Sequence, residues 1–366
     1  MTDKPHVGID LRMYRMTGIG RYLQNLIPDL IPRLSTSKIS IFGRADEFEG
    51  EEWLRDSRIR FREFRPRIFS VAEQWAGARG EYRDLDLLWT PQYNLPLLYR
   101  GNLVVTIHDL CQLAHPETLA NGLQRRYARY LLSEVAKRAS AILCVSEFTA
   151  AEVQKYLHVD EGRVVTTYPP LKGDWSLPMA ASEKVSYSPY LLAVGSVKKH
   201  KNLLRLISAF DRIRDLIPHH LVIVGKREGF LNSENSLRAT SADPDGRVRF
   251  TGEVSDLELK GYYRNATALV FPSFYEGFGF PLVEAMAAGC PVACSNIASL
   301  PEVAGDAALL FNPFSVEEIA QTLIRIATDA SMQDALAERG RERVHLFVGT
   351  TCAEVTAALI NRLLAN

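Results

Sequence analysis

The sequence has no excess of either charge, no paired cysteines and no long apolar run, and each absence excludes a class of protein. Lys plus Arg and Asp plus Glu both number 43 in 366 residues, so the formal net charge is zero. A nucleic-acid binder ordinarily carries a basic excess, and no nucleic-acid partner is expected. Five cysteines stand at 111, 144, 290, 294 and 352. Their odd number and the lack of C-x-x-C spacing argue against a disulfide framework, a redox pair or a metal site. Reduced, buried thiols are the expected state. No apolar stretch reaches the roughly 18 to 20 residues that cross a bilayer. Met1 to His6 lead into a strand-like run without the apolar core of a secretory signal, so the expected location is the cytoplasm. Internal repeats and low-complexity segments are absent as well.

What is present is an alternation of short apolar runs with longer helical periodicity, the pattern of repeated βα units. Val7–Asp10, Lys38–Phe42, Leu87–Trp89, Leu103–Ile107 and Ala141–Val145 read as strands of a first domain. Tyr190–Val194, Leu221–Val224, Val248–Phe250, Ala268–Phe271 and Pro291–Cys294 read as strands of a second. Several are apolar on consecutive positions, as strands buried on both faces of a parallel sheet must be. Between the sets, Pro169, Pro170, Pro178 and Pro189 mark a linker. Val316–Thr328, Ser331–Arg343 and Thr351–Leu364 carry helical periodicity. The expected fold is α/β, with two Rossmann-like doubly wound domains facing a cleft that is the default ligand site. The expected divisions are 1–180, 181–345 and a C-terminal helix in 346–366.

The stretch from Pro272 to Val292 carries the chemistry. A strand ending near Phe271 runs into a loop holding Glu276, Gly277, Phe278 and Gly279, and Phe280-Pro281 opens a helix, with Pro281 expected at its first position. The glycines let backbone approach a ligand closely. The helix N-terminus offers unpartnered N–H groups and a partial positive charge to an anion. Glu276 in the loop and Glu284, expected in the first turn, are able to face one cleft. A carboxylate accepts two sugar hydroxyls at once.

Tyr275-Glu276-Gly277-Phe278-Gly279 with Glu284-Ala285-Met286-Ala287 gives an E-x7-E spacing. It resembles the signature of the retaining glycosyltransferases of GT-B fold (group 1), bacterial mannosyltransferases of O-antigen and exopolysaccharide synthesis among them. The resemblance extends over Ser295–Ala308 and back to Phe250–Ser255, essentially the whole C-terminal half, with weaker anchors in the N-terminal half. It implies that Glu284 holds the nucleotide ribose and Glu276 the donor sugar. Backbone around Gly277, Phe278, Gly279 and Phe280 would meet sugar and diphosphate, and Val254 the base. It also implies that the C-terminal helix returns to the N-terminal domain.

Gly195-Ser196-Val197-Lys198-Lys199-His200-Lys201 resembles the family's G-R-x4-K diphosphate loop. Lys201 matches the lysine. Ser196 replaces the usual arginine and cannot stabilise developing charge as a guanidinium does. Lys198, Lys199, Lys226 and Arg227 are candidates to compensate. Gly18 and Gly20, in Thr17–Tyr22, fail as a dinucleotide fingerprint because position 23 is leucine. They resemble the family's N-terminal glycine loop at the diphosphate and sugar. His108, after the strand Leu103–Ile107, matches a family histidine near the donor sugar and acceptor pocket. Ser146 reads as a helix N-cap. Asp84-Leu85-Asp86 only superficially matches a metal-binding D-x-D, and neither metal nor cofactor is expected.

The implied reaction retains anomeric configuration by front-face attack, with the departing phosphate oxygen taking the acceptor proton, and Glu276, His108 and Lys201 are the catalytic candidates. GDP-mannose is the first choice of donor, ahead of dTDP-rhamnose, other GDP-sugars and UDP-hexoses. The acceptor is a saccharide, free or on a polyprenyl carrier. Two arginine-rich segments, residues 55–67 and 125–129, suggest contact with anionic lipid at the inner face of the cytoplasmic membrane. A non-catalytic nucleotide- or saccharide-binding scaffold of the same fold is the alternative from another class, favoured by Ser196. An epimerase would lack this E-x7-E context, and a PLP-dependent phosphorylase would be much longer.

Overall fold

The computed structural model describes residues 5–78, 80–116, 122–173, 175, 188–196, 198–225 and 246–365. The chain forms two compact units, one of Met1–Lys172 with Gly349–Asn366 and one of Gly173–Val348.

The first unit is built from β1 (His6–Asp10), α1 (Ile19–Leu30), β2 (Lys38–Gly43), β3 (Ile59–Glu63), α2 (Val71–Ala78), β4 (Leu87–Thr90) and β5 (Asn102–Ile107). α3 (Cys111–Ala114), α4 (Gly122–Arg138), β6 (Ala141–Cys144), α5 (Glu147–Leu157) and β7 (Val164–Thr166) follow. The strands form one sheet in the order β3-β2-β1-β4-β5-β6-β7, and every pairing is parallel. β1 and β4 are buried along their whole length, as suits their apolar centres Val7–Ile9 and Leu87–Trp89 in a sheet covered on both faces. The order reverses between β1 and β4. In a doubly wound sheet, ligands bind beyond the C-terminal strand ends at such a reversal.

Just past the end of β1, Arg12 is clamped between two carboxylates. Its guanidinium donates to Asp10 and to Glu73 of α2, with side chains no more than 5% exposed. Asn94 donates to both acids at 3.0 Å. Glu73 also accepts from the Phe69 N–H at 2.8 Å. The cluster fastens α2 and the loop after β4 to the end of β1.

The second unit contains β8 (Tyr190–Val194), α6 (Leu203–Ile213), β9 (His220–Val224), β10 (Val248–Gly252), α7 (Asp256–Asn265), β11 (Ala268–Phe271) and α8 (Phe280–Ala287). It continues through β12 (Val292–Ser295), α9 (Leu300–Ala304), β13 (Ala308–Phe311), α10 (Val316–Thr328) and α11 (Ala330–Val344). Its parallel sheet runs β10-β9-β8-β11-β12-β13, reversing between β8 and β11. Leu206, Ile207, Phe210 and Ile213 of α6 pack with Ile319, Leu323 and Ile326 of α10 against one face of it.

The last helix, α12 (Thr351–Ala365), belongs to the first unit and packs on α1 and β4. Asn361 fixes it at both ends of its amide, accepting from the Ser35 N–H at 2.8 Å and donating to the Arg33 carbonyl at 3.0 Å.

Three edge strands, β3, β7 and β13, were not expected from the sequence. β3 lies inside the arginine-rich segment 55–67, where Arg55, Arg60, Arg65 and Arg67 are exposed and three arginines have acidic partners. Arg58 pairs with Asp56 at 2.7 Å, Arg65 with Glu63 at 2.6 Å, and Arg62 with Asp84. Lys226 and Arg227 lie outside the described residues.

Candidate active site

The reversal between β8 and β11 places two loops side by side, and these carry Lys201 and Glu276. The β8 loop passes Ser196, makes a short 3-10 turn at Lys199–Lys201 and ends at Asn202, whose φ of 57° starts α6. Asn202 is buried, and its amide donates to the carbonyls of Pro272 at 3.0 Å and Pro313 at 2.7 Å. The Phe274 N–H donates to the His200 carbonyl at 2.9 Å. Side chain and backbone together lock the β8 loop against the β11 loop.

The far end of the β11 loop is held by Ser299. Its fully buried hydroxyl lies 2.9 Å from the Glu276 carbonyl and 3.1 Å from the Phe278 carbonyl. Gly279 then turns the chain into α8 at φ 101°, and a Cβ there would stand 2.9 Å from the Leu300 side chain. Both the left-handed conformation and the close approach require glycine. α8 starts at Phe280, so Pro281 is its second residue rather than its first. Its missing N–H still falls among the four that have no intrahelical partner. Glu284 accordingly stands in the second turn, not the first.

Lys201 and Glu276 meet at 2.6 Å, with side chains 16% and 14% exposed. The ammonium also lies 5.2 Å from the centre of the Phe271 ring. Cation and carboxylate therefore meet at the sheet end from which α8 departs, and the partial positive charge of a helix N-terminus suits such a place to an anion carrying a polar group. Glu284 is buried on α8, and its Oε2 accepts from the Tyr263 hydroxyl at 2.9 Å. Val254 lies half-buried in the loop between β10 and α7, and Ser196 half-buried in the β8 loop. Lys198 and Lys199 are exposed.

In the first unit, Gly18 precedes α1 with φ 74°. A Cβ on Gly20 would stand 2.7 Å from the Tyr14 carbonyl oxygen, the same oxygen that accepts from Gln24 at 2.6 Å. The glycine loop is thus folded against its own helix. His108 follows β5 with Nε2 2.9 Å from the Pro91 carbonyl, and its ring meets Tyr22 of α1 edge-on at 5.0 Å. The carbonyl can only accept, so Nε2 carries the proton and Nδ1 the lone pair. Burial pushes the imidazole down to about 4, so it is neutral near pH 7. Asp109 accepts from the Cys111 N–H at 2.9 Å. Ser146 caps α5 through the Thr149 N–H. Asp84 and Asp86 both serve His6: Asp86 accepts from its N–H at 2.7 Å, and Asp84 also takes Arg62 and Lys38.

Tyr263, Ser299 and Asn202 were not singled out by sequence. Asn202 directly follows the G-x5-K loop and Ser299 lies inside the resemblance, so both stood next to recognised signals. Tyr263 had none.

Two doubly wound parallel sheets, with the acidic and basic groups gathered past a strand reversal, define a glycosyltransferase of GT-B fold. The family model described as Glycosyl transferases group 1 matches residues 179–343, and Glycosyltransferase Family 4 matches 16–172. The O-antigen chain mannosyltransferase B of Escherichia coli is 29% identical, covering 94% of this chain and 95% of that protein. The O-antigen chain mannosyltransferase RfbU of Salmonella typhimurium is 32% identical over 68% of this chain and 67% of its own. Sucrose-phosphate synthase from Thermosynechococcus elongatus superposes with a TM-score of 0.77 at 19% identity, covering 99% of each chain, and shows the shared fold. The chain belongs to the group 1 glycosyltransferases.

Proposed function

We propose that the protein is a retaining mannosyltransferase that moves mannose from GDP-mannose to a saccharide or lipid-linked saccharide in cell-surface polysaccharide synthesis. The observation that carries this reading is the Lys201–Glu276 pair, with Glu276 in the loop that leads into α8. Lys201 and the helix N–H groups stabilise charge on the departing diphosphate, and Glu276 orients the donor sugar. Glu284 accepts ribose hydroxyls, Val254 backbone meets the base, and Gly277, Phe278, Gly279 and Phe280 line sugar and phosphate. Gly18, Gly20 and His108 serve the donor sugar and acceptor. The departing phosphate oxygen takes the acceptor proton, with no general base needed from the protein. Mannose is supported by the similarity to O-antigen mannosyltransferases.

The test is a thermal-shift panel of GDP, UDP, dTDP and ADP with their sugar conjugates, followed by NMR of the product's anomeric centre. Stabilisation by GDP-mannose and a product of donor configuration support the reading. An inverted product removes the retaining mechanism, and preference for dTDP-rhamnose or a UDP-hexose replaces the donor. Ser196 favours a second reading, a non-catalytic binding scaffold, which nucleotide binding without turnover would establish.

We also assign a peripheral contact with the inner face of the cytoplasmic membrane to the exposed residues of α4 and α2. Leu123 and Trp75 are 78% and 65% exposed, and Arg126 and Arg129 are exposed beside Tyr130. No helix among the described residues is long and apolar enough to cross a membrane. Flotation with phosphatidylglycerol vesicles tests the contact, and protein left at the bottom of the gradient removes it.

A further inference from the structure

We propose that Tyr263 is the positioning residue of the nucleotide site: its hydroxyl holds the Glu284 carboxylate in the orientation that accepts the ribose. The inference deepens the ribose role proposed for Glu284 and rests on it.

Tyr263 is fully buried near the end of α7, and Glu284 is 3% exposed on α8. A carboxylate this far from water must be hydrogen-bonded, and the phenol donates to Oε2 at 2.9 Å. The last torsion of a glutamate side chain is broad. A hydrogen bond to one oxygen restrains that torsion and so sets the direction of the carboxylate.

The phenol ring is itself packed on its own helix's neighbours. Its ring is met edge-on by Trp175, with centroids 6.1 Å apart and planes at 62°. Trp175 is buried, its carbonyl accepts from Arg264, and the Lys260 ammonium lies 5.1 Å from its ring centre. Lys260 and Arg264 belong to α7, as does Tyr263, so donor and support form one rigid piece. A donor fixed in advance reorients nothing when the ligand arrives. Packing alone does not call for this pair, because a buried polar pair replaced by apolar residues of similar shape is often neutral or stabilising. A phenylalanine facing a leucine would fill the same space between α7 and α8.

Tyr263→Phe removes the hydroxyl and keeps the ring against Trp175. The experiment is calorimetric titration of wild type, Tyr263→Phe and Glu284→Ala with GDP and UDP, each beside its 2′,3′-dideoxy counterpart. Donor KM and kcat are measured alongside. In Tyr263→Phe, affinity for the ribose-bearing diphosphate falls about tenfold while dideoxy affinity holds, and donor KM rises with kcat little changed. An unaltered ribo-to-dideoxy ratio in Tyr263→Phe, whatever its melting temperature, overturns the positioning role. If Glu284→Ala meanwhile loses the ratio, the ribose reading stands without Tyr263. If Glu284→Ala keeps the ratio too, the ribose reading itself fails.

Discussion

The Lys201 ammonium is already bonded to the Glu276 carboxylate at 2.6 Å, so a diphosphate drawn to Lys201 competes with Glu276 for it. The two groups that the proposed chemistry needs are therefore opposed in binding and joined in turnover. Glu276→Gln releases the lysine and keeps the shape. Diphosphate affinity in this variant is expected to equal or exceed that of wild type, while transfer falls about 100-fold or more. Lys201→Ala is expected to lose both. Titration calorimetry and initial rates separate the cases, and near-normal turnover in Glu276→Gln would refute the assignment.

Ser299 joins two carbonyls of the Glu276 loop through one hydroxyl. Ser299→Ala is expected to cost about 1–2 kcal/mol in denaturant unfolding. Transfer should fall further than nucleotide affinity, because the bond to the Glu276 carbonyl aims the side chain that orients the donor sugar. Equal losses in kcat and affinity would assign Ser299 to general stability.

His108 makes acid sensitivity predictable. Its folded value is depressed to about 4 by burial against an ordinary 6.5, so the unfolded chain takes up its proton first. The stability this residue contributes is complete above pH 6.5 and lost as pH falls through 4. His108→Gln keeps an N–H for the Pro91 carbonyl and does not titrate. Its melting temperature should fall less than that of wild type between pH 7 and pH 4.5, and parallel pH profiles would exclude the effect.

Arg12 stands between two buried acids. Arg12→Met leaves both without their cation and should cost about 3–5 kcal/mol. Burial raises the Glu73 carboxyl above its ordinary value, so protonating it relieves the variant. The deficit against wild type should be smaller at pH 5 than at pH 8, read by denaturant titration at each pH. A pH-independent deficit would show that packing, not charge, dominates the cluster.

The central strands were legible because burial on both faces forces consecutive apolar residues, as in Leu191-Leu192-Ala193 and Leu269-Val270. The edges were not. β3 reads Ile-Arg-Phe-Arg-Glu, with Arg60, Phe61 and Glu63 exposed and only Ile59 buried, so the strand passes for a basic patch. β7 is only three residues long and half-exposed. In the candidate site, Lys201 and Glu276 lie in loops with their own spacing, which made them legible, and the structure brings them together. Tyr263 and Ser299 were not, because each acts on a partner 21 or 23 residues away in another element. Nothing in either local sequence reports that neighbour.

The return of α12 to α1 and β4 reverses the order of synthesis and of completion. A chain leaves the ribosome from its N-terminus, and domains ordinarily fold in that order. Here residues 173–348 emerge whole before the helix that closes the first unit exists. Ala353, Ala357 and Ile360, buried in the folded protein, are made after the whole of the second unit. The nascent first unit must wait with its flank open while the second, begun later, has everything it needs to fold.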